Sequence, residues 1–264
     1  MITIESQSNE IYKSAKKLLT HSGRKKSGMF IAEGERIVKD AVSGGACPEY
    51  ILLRKCQCFE WLDSVHNIRI YQMSEKLFDT LKCTVNSQGI IAVFKSVTHS
   101  HTEIDYGSDG CYLYLDDITD PGNMGTILRT ACAFGVKGVV LSEGCTDVYN
   151  PKVVRSTMAG IFAVPIYDGG KTALGRFAES GFCIVGAFPN GGTGIGDFEF
   201  PNRSVVVVGN EANGICPETE AMCSEKVTIP MSEYAESLNV SVACGIMLYR
   251  AFVTCSKKGG HSLE

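Results

Sequence analysis

Short apolar segments alternate with amphipathic helical patterns along almost the whole chain, and this alternation constrains the fold more than any other feature. Apolar runs of about four to eight residues bounded by turn residues are typical of buried strands, and residues 50–55 and 204–209 are examples. Strands that alternate with helices form a mostly parallel sheet with helices on both faces. The sequence therefore predicts an α/β fold.

The alternation is interrupted by a polar stretch at residues 98–109, which contains few residues suited to a core. We interpret this stretch as a linker. The chain of 264 residues is long enough for two units that each bury a core. We therefore expect a first α/β domain over residues 1–97 and a second over residues 110–256. Residues 257–264 have nothing to bury and are expected to form a flexible tail.

Periodicity and turn residues place the individual elements. In the first domain, the predicted strands are 29–34, 50–55, 68–73 and 88–97, and the predicted helices are 8–22, 35–42, 59–65 and 74–82. In the second, the predicted strands are 111–118, 138–144, 164–168, 182–188, 204–209 and 226–231, and the predicted helices are 123–135, 150–162, 171–180, 217–224 and 237–255. Gly23 is expected to end the first helix, and residues 191–196 are expected to form a flexible loop.

The twelve cysteines are spread over the chain, no two of them lie at C-x-x-C spacing, and several fall inside apolar runs. A metal cluster or a disulfide framework needs tighter grouping. We therefore expect no metal, and a reduced cytoplasmic protein that uses cysteine as a small core residue. The sequence also lacks a signal peptide and any apolar run of about 18 residues, so no membrane partner is expected.

Charge is distributed unevenly. The formal net charge is −4, but residues 1–97 contain 14 basic and 10 acidic residues, a surplus of basic groups. Within them, residues 13–26 contain six basic residues and no acidic one. A local basic patch attracts a polyanion even on an acidic chain, because screening confines each field to about 10 Å. A solvated helix face is the simpler interpretation of the same pattern.

Familiar nucleotide-binding motifs are absent. No G-x-G-x-x-G follows the first strand of either domain, and Lys171 lacks the glycine that a P-loop places six positions earlier, since position 165 is proline. A dinucleotide-dependent dehydrogenase or a P-loop NTPase is therefore poorly supported.

Polar residues instead follow apolar strands in three clusters, at residues 116–131, 205–215 and 227–243. Ligands of open α/β sheets bind beyond the carboxyl ends of the strands, where glycines allow close approach. Each cluster also has a purely structural interpretation. Asn123 could cap its helix, Arg129 could pair with Glu211, and the segment 213–214 could form a turn that has no further role. Because all three clusters fall at strand ends in one half of the chain, we favour a shared site.

The three clusters resemble the three motifs of the SpoU (TrmH) family of RNA 2′-O-ribose methyltransferases, in the SPOUT superfamily. Their order and separation agree: Asn-x-Gly followed by Arg and Thr-Ala, then Gly-Asn-Glu, then Ile-Pro-Met with Ser-Leu-Asn-Val-Ser-Val-Ala. The first domain, most clearly at residues 30–42, resembles the family's small substrate-binding domain, which is related in fold to a ribosomal protein. Ala212 and Gly122 depart from the usual residues, and neither change removes a side chain that the chemistry uses.

The resemblance implies a C-terminal α/β trefoil-knot methyltransferase domain, with the knot in residues 111–255, preceded by a small α/β substrate-binding domain. It implies S-adenosylmethionine as cofactor and a homodimer that packs the closing helix into its interface. The implied cofactor-binding residues are Ala187, Gly209, Asn210, Glu211, Ile229, Met231, Ser237, Leu238 and Asn239, and the implied catalytic residues are Asn123, Arg129, Glu211 and Asn239.

The resemblance also implies the chemistry. A ribose 2′-hydroxyl must lose its proton as it attacks the methyl group. A guanidinium does not deprotonate readily, so we expect Arg129 to hold a phosphate and to stabilise the developing alkoxide. Asn123 and Asn239 are expected to orient the hydroxyl and Arg129, while Glu211 fixes Arg129 or its own loop.

The implied substrate is RNA, with 23S ribosomal RNA favoured. The residues expected to contact it are Arg24, Lys25, Lys26 and Glu33. Three alternatives stay open: a tRNA or antibiotic-resistance methyltransferase of the same family, a non-catalytic RNA-binding protein of the same fold, and an α/β enzyme that acts on small molecules.

Overall fold

The computed structural model describes residues 2–259, with side chains described up to residue 255. Contacts divide the chain into two compact units. The first unit comprises residues up to 97 together with 147–163, and the second comprises 98–146 together with the chain from 164 onward. A flexible tail is predicted at 257–264. Residues 257–259 instead continue the last helix, and residues 260–264 lie outside the described residues.

The first unit contains a five-stranded mixed sheet. Its strands are β1 (Ile2–Ile4), β2 (Met29–Glu33), β3 (Tyr50–Arg54), β4 (Ile70–Met73) and β5 (Ile90–Lys95), in the order β1-β4-β3-β5-β2. β1, β4 and β3 are parallel, whereas β5 runs antiparallel to both of its neighbours. The prediction of a mostly parallel sheet is wrong for this unit. The helical segment between β4 and β5 is a single turn, and alternation alone does not fix the direction of the strand that follows it.

The helices of the first unit are α1 (Glu10–Lys17), α2 (His21–Ser27), α3 (Glu35–Ser43) and α4 (Glu75–Phe78), with a 3-10 helix at Glu60–Ser64. The single helix predicted over 8–22 is therefore wrong, because the chain breaks after α1 and Thr20 caps α2 by accepting from the Gly23 N–H. Gly23 does not end a helix. A Cβ at this position would lie 1.9 Å from the Lys17 carbonyl oxygen, so the glycine permits a close approach between the two helices.

The second unit contains an eight-stranded sheet whose pairs are all parallel. Its strands are β6 (Thr98–His99), β7 (Gly110–Leu115), β8 (Gly138–Leu141), β9 (Ile166–Tyr167), β10 (Cys183–Phe188), β11 (Thr193–Gly194), β12 (Arg203–Val208) and β13 (Glu225–Thr228). They follow the order β11-β13-β10-β12-β7-β8-β9-β6. The predicted parallel sheet is confirmed in this unit.

The structure differs from the expected linker and loop at both edges of this sheet. β6 lies in the stretch expected to be a linker and pairs with β9. β11 lies in the expected flexible loop and pairs with β13. Both strands have only two residues, so neither shows the periodicity from which a strand is predicted.

The remaining helices are α5 (Pro121–Ala133), α6 (Pro151–Ser156), α7 (Gly170–Glu179), α8 (Pro217–Glu220) and α9 (Val240–Gly259). The helix predicted over 150–162 ends early, because Met158 and Ala159 adopt positive φ angles of 49° and 73° and a 3-10 helix follows at Gly160–Phe162. The closing helix, predicted over 237–255, begins at Val240 and extends to Gly259. α5 packs against α9 within the second unit.

Residues 147–163, which the sequence placed in the second domain, pack into the first unit. Asp147 pairs with Arg24 at 2.7 Å, and the Arg24 side chain is only 6% exposed. Phe162 packs against Phe94, with the two ring centroids 4.6 Å apart. The Tyr149 hydroxyl donates to the Val97 carbonyl oxygen. Alternation of elements gives no sign of these long-range contacts.

We expect Asp147→Asn to destabilise the first unit by about 3 kcal/mol, because it leaves the Arg24 charge buried without a counter-charge. Urea unfolding followed by circular dichroism measures this change. Glu49→Gln is the matched control, since its partner Lys95 is exposed, and we expect it to cost less than about 1 kcal/mol. Equal effects of the two substitutions would contradict a buried ion pair.

Candidate functional site

A cavity of about 570 Å³ lies at the carboxyl ends of β10, β12 and β13, entirely within the second unit. Its size falls in the usual range for small-molecule sites. The residues that line it are Asn123, Ala187, Phe188, Pro189, Val208, Gly209, Asn210, Glu211, Ala212, Asn213, Gly214, Ile215, Glu220, Val227, Ile229, Met231, Ser237, Leu238, Asn239, Val240 and Ala243. The nine residues predicted to bind the cofactor are all among them.

The loop after β12 forms one wall of this cavity and is held in a tight turn. Asn210 and Gly214 exchange two backbone hydrogen bonds of 2.9 Å. A Cβ on Gly209 would lie 2.1 Å from the Gly214 carbonyl carbon, so only glycine fits there. Gly214 itself has a φ of +70°, which favours glycine. The turn that the sequence offered as a structural alternative is therefore present, and it also lines the cavity.

The Glu211 carboxylate binds the loop that follows β7. Its Oε1 accepts from the Asp120 N–H and from Asn123 Nδ2, both at 3.1 Å. Its Oε2 accepts from the N–H and from the hydroxyl of Thr119, at 3.3 and 3.2 Å. One carboxylate thus joins the first two polar clusters of the sequence.

The third cluster joins through Asn239. Its Nδ2 donates to Asn123 Oδ1 at 2.9 Å. Its own Oδ1 accepts from the Ser241 N–H and hydroxyl, which fixes which end of the amide faces Asn123. Asn123, Glu211 and Asn239, which are distant in sequence, therefore form one continuous hydrogen-bonded network at the cavity.

Asn123 does not cap its helix. The N-cap of α5 is Asp120, whose Oδ1 accepts from the Asn123 N–H at 2.8 Å. The side chain of Asn123 is consequently available for Glu211 and Asn239. Sequence reasoning did not assign Asp120 or Thr119, although both lie inside the first polar cluster.

Hydrogen bonding lowers the pKa of Glu211. Burial, the largest single effect, raises it, but the bonds from Asn123 and from the backbone N–H groups of Asp120 and Thr119 together outweigh burial. Glu211 is therefore ionised at neutral pH and acts as an acceptor only.

Arg129 stands apart from this network. It is exposed on α5, does not line the cavity, and makes no hydrogen bond or ion pair with any side chain described up to residue 255. Six helical residues separate it from Asn123, which corresponds to about 9 Å of rise and a different face of the helix. The alternative in which Arg129 pairs with Glu211 is wrong, because the four hydrogen bonds to Glu211 come from residues 119, 120 and 123.

The structure separates the four residues expected to bind RNA. Arg24 is buried in its pair with Asp147. Glu33 is 9% exposed and accepts from the Cys83 N–H and the Thr84 hydroxyl. Both side chains are therefore committed inside the first unit, whereas Lys25 and Lys26 are exposed in the last turn of α2.

None of the twelve cysteines forms a disulfide. Cys244 is buried, and burial raises its pKa. Cys47, Cys56 and Cys58 are exposed, so the expectation of a core role is wrong for these three. Among the described residues, no group of three histidine, cysteine or carboxylate side chains could hold a metal ion. None of the described helices is long and apolar enough to cross a membrane.

Comparison with known proteins supplies the class to which this fold and site belong. Residues 110–249 match the model of the SpoU rRNA methylase family, and residues 9–92 match that of the MRM3-like substrate-binding domain. The chain therefore belongs to the SpoU rRNA methylase family. It is an RNA methyltransferase that uses S-adenosylmethionine.

Relatives and solved structures match over nearly the full length. A 23S rRNA guanosine 2′-O-methyltransferase of Bacillus subtilis is 31% identical over 94% of this chain and 98% of its own length. An rRNA methyltransferase of Sinorhizobium meliloti with bound S-adenosylmethionine is 26% identical over 97% of both chains, with a TM-score of 0.85. The SpoU methyltransferase AviRb of Streptomyces viridochromogenes, also with this cofactor, is 26% identical over 93% of this chain and 97% of its own, with a TM-score of 0.83.

We expect the pH dependence of cofactor binding to follow the ionisation of Glu211. A carboxylate whose pKa is lowered in the folded protein contributes its full stabilisation at any pH above its ordinary pKa of 4.5. This stabilisation is lost only as the pH falls through the lowered pKa. Titration calorimetry with S-adenosylmethionine should therefore show constant affinity from about pH 8 down to about pH 5.

Glu211→Gln is the control for this dependence. Its neutral side chain has one carbonyl oxygen for the donors that surround Glu211, so we expect weaker cofactor binding at every pH. The variant should also lack any change of affinity at low pH that comes from protonation of residue 211. An affinity that changes between pH 6 and 8 in the native protein but not in the variant would contradict a lowered pKa.

Proposed function

We propose that this chain transfers a methyl group from S-adenosylmethionine to a ribose 2′-hydroxyl of 23S ribosomal RNA. The observation that carries the proposal is the hydrogen-bonded network of Asn123, Glu211 and Asn239 at the edge of the cavity. It joins three loops that bear the three family motifs. The Bacillus relative, whose name gives this reaction on 23S rRNA, matches the chain over nearly its whole length.

The cavity suits the cofactor. Gly209 brings the backbone of its turn close to the cavity, and the apolar residues Ile229 and Leu238 lie on the wall formed by the chain after β13. Backbone and apolar contacts of this kind would hold the adenosine moiety, and Glu211 places negative charge on the same cavity as the positively charged donor. S-adenosylmethionine supplies an activated methyl group on a sulfonium.

The residues of this chain position the acceptor. Asn123 and Asn239 are fixed by the network, and each retains one further amide N–H with which to orient the 2′-hydroxyl. Arg129 holds the adjacent phosphate and stabilises the alkoxide that develops during attack. The proton passes to phosphate or to water, since a guanidinium stays charged.

We infer a homodimer that completes the site. Arg129 lies on α5 away from the cavity of its own chain, and the neighbouring face of α9 exposes Val242 and Tyr249. Phe134 packs beside Tyr249 and Phe252, at centroid distances of 5.9 and 5.8 Å. A second copy packed on this face would cover these apolar side chains and would bring Arg129 towards the cavity of the partner. We also propose that the second unit contains a trefoil knot and that the protein is cytoplasmic.

The first unit would bind the RNA. It matches a substrate-binding domain, and its exposed Lys25 and Lys26 are free to contact phosphates. Ribosomal RNA is favoured over tRNA because two relatives that cover most of this chain are named for 23S rRNA, whereas two tRNA-modifying neighbours cover 58% of this chain or less.

Incubation of the purified protein with labelled S-adenosylmethionine and either ribosomal RNA or tRNA tests the function. Nucleotide mapping should then find label on a ribose of 23S rRNA. Label found only on tRNA would mean that tRNA, and not 23S rRNA, is the substrate. Binding of RNA without any transfer would indicate a non-catalytic RNA-binding protein.

We expect Arg129→Ala to abolish methyl transfer while leaving the affinity for S-adenosylmethionine within about threefold of the native value, because Arg129 does not line the cavity. Arg129→Lys should fail as well, since a point charge does not reproduce the planar guanidinium. Label transfer and calorimetry measure the two quantities. Loss of cofactor binding in either variant would contradict this role.

Mixing variants tests the shared site. Equal amounts of Arg129→Ala and Asn239→Ala chains, unfolded and refolded together, should recover about a quarter of the native activity, because half of the dimers then contain one intact composite site. If Arg129 acts within its own chain, each mixed dimer contains no intact site and no activity returns.

We expect the double substitution Lys25→Gln and Lys26→Gln to weaken RNA binding and to reduce the slope of log K against log salt by about 1.5, since each phosphate contact contributes about 0.7 to 0.9. Filter binding at several salt concentrations measures the slope. Lys95→Gln, at an exposed position on β5, is the control and should leave it unchanged. Equal slopes in the native protein and the double variant would show that α2 is not part of the surface that contacts RNA.

A further inference from the structure

Asp117 has an unusual backbone conformation. It follows the buried end of β7 and has a φ of +59°, in the left-handed region that residues with a side chain rarely adopt. A strained residue of this kind persists only where its surroundings hold it, and such residues concentrate at functional sites. Asp and Asn tolerate this conformation better than other non-glycine residues.

Three hydrogen bonds and a close steric fit hold Asp117 in place. Its N–H donates to the Ser142 hydroxyl oxygen at 2.8 Å. Its carbonyl oxygen and its Oδ2 both accept from Asn210 Nδ2, at 2.8 and 3.2 Å. Gly144 leaves room for the carboxylate, because a Cβ there would lie 2.0 Å from Asp117 Oδ1. The side chain and the strained backbone of Asp117 are thus directed at one partner, Asn210.

Asn210 passes this orientation on to the cavity. It lines the cavity, and its Oδ1 accepts from the N–H groups of Ala212 and Asn213 at 2.9 and 3.1 Å. These two bonds shape the turn that presents Glu211. Because Asp117 accepts from Nδ2, the carboxamide of Asn210 is fixed with its oxygen towards the turn. A flipped amide would set a donor against two donors.

We propose that Asp117 is a positioning residue for the donor site: it orients the Asn210 carboxamide and thereby sets the shape of the 209–214 turn that S-adenosylmethionine contacts. Asp117 itself does not line the cavity, so it acts on the donor site through Asn210. The affinity measurement rests on the proposed function, whereas the orientation of Asn210 does not.

Two substitutions separate the carboxylate from the backbone strain. Asp117→Gly removes the Oδ2 acceptor, keeps the backbone carbonyl oxygen that also accepts from Asn210 Nδ2, and relieves the left-handed conformation, so it should not lower Tm. We expect it to weaken binding of S-adenosylmethionine about tenfold, as for loss of one hydrogen bond to a charged group. Asp117→Asn tolerates the conformation and retains an acceptor, so it should bind within about threefold of the native protein. Asp168→Gly, in the exposed position just after β9, is the control and should bind as the native protein does.

A double-mutant cycle tests whether Asp117 acts through Asn210. Asn210→Ala alone should weaken cofactor binding, and Asp117→Gly added to it should weaken binding no further. Additive losses would overturn the proposal, as would native affinity in Asp117→Gly. If the native protein binds no S-adenosylmethionine, the proposed function fails, and the positioning role is then tested without ligand.

That test uses the NMR signals of the Asn210 side-chain NH₂ group, assigned by their loss in Asn210→Ala. In the native protein the hydrogen bonds to Asp117 should protect one proton from exchange. Asp117→Gly should shift both signals and speed the exchange, and Asp117→Asn should largely restore them. Unchanged signals in Asp117→Gly would overturn the proposal whatever the cofactor affinity.

Discussion

The candidate site depends on the carboxylate of Glu211. A carboxylate has about four acceptor positions, and Glu211 receives two backbone N–H groups, one hydroxyl and one amide from residues 119, 120 and 123. Its acceptor capacity is therefore filled by the protein. It is a poor candidate for a general base, and its bonds leave no vacant position for a guanidinium of the same chain. The parallel strands are buried, so the shape of the cavity depends on how their loops are joined, and this carboxylate joins two of them.

The location of the site could be predicted from the sequence, but its bonding could not. Buried runs such as residues 204–209 show where strands end, and parallel strands bring these ends to one edge of the sheet. Which polar groups form hydrogen bonds with each other depends on differences of one or two bond lengths in the position of a side chain. Asp120 caps α5 in place of Asn123, and this exchange alone frees Asn123 for the network. Similarly, the left-handed conformation of Asp117 depends on the space that Gly144 leaves 27 positions later.

The first unit shows a second limit of sequence reasoning. A window with six basic residues contributes to a cationic surface only through those residues that are exposed. Arg24 belongs to that window but is buried, and its counter-charge Asp147 is 123 positions away. No local pattern reveals such a pair. The same contact explains the domain boundary, because Asp147 begins the segment that packs with the first unit although family matching assigns it to the methylase region.

The distribution of charge limits which side chains can face the sulfonium donor and which can face the RNA phosphate. The cavity contains Glu211 and Glu220 and lies in the acidic part of the chain. Negative charge there favours a sulfonium donor and opposes a phosphodiester. A 2′-hydroxyl cannot reach the donor without bringing its phosphate along, so a cation has to meet that phosphate close to the cavity, and screening limits its useful range to about 10 Å. Lys171 and Lys226 of the second unit are paired with Glu218 and Glu220. Arg129 carries a permanent charge, lies exposed on α5 and has no partner among the described side chains, so in the proposed homodimer it would be available to the phosphate at the partner's cavity.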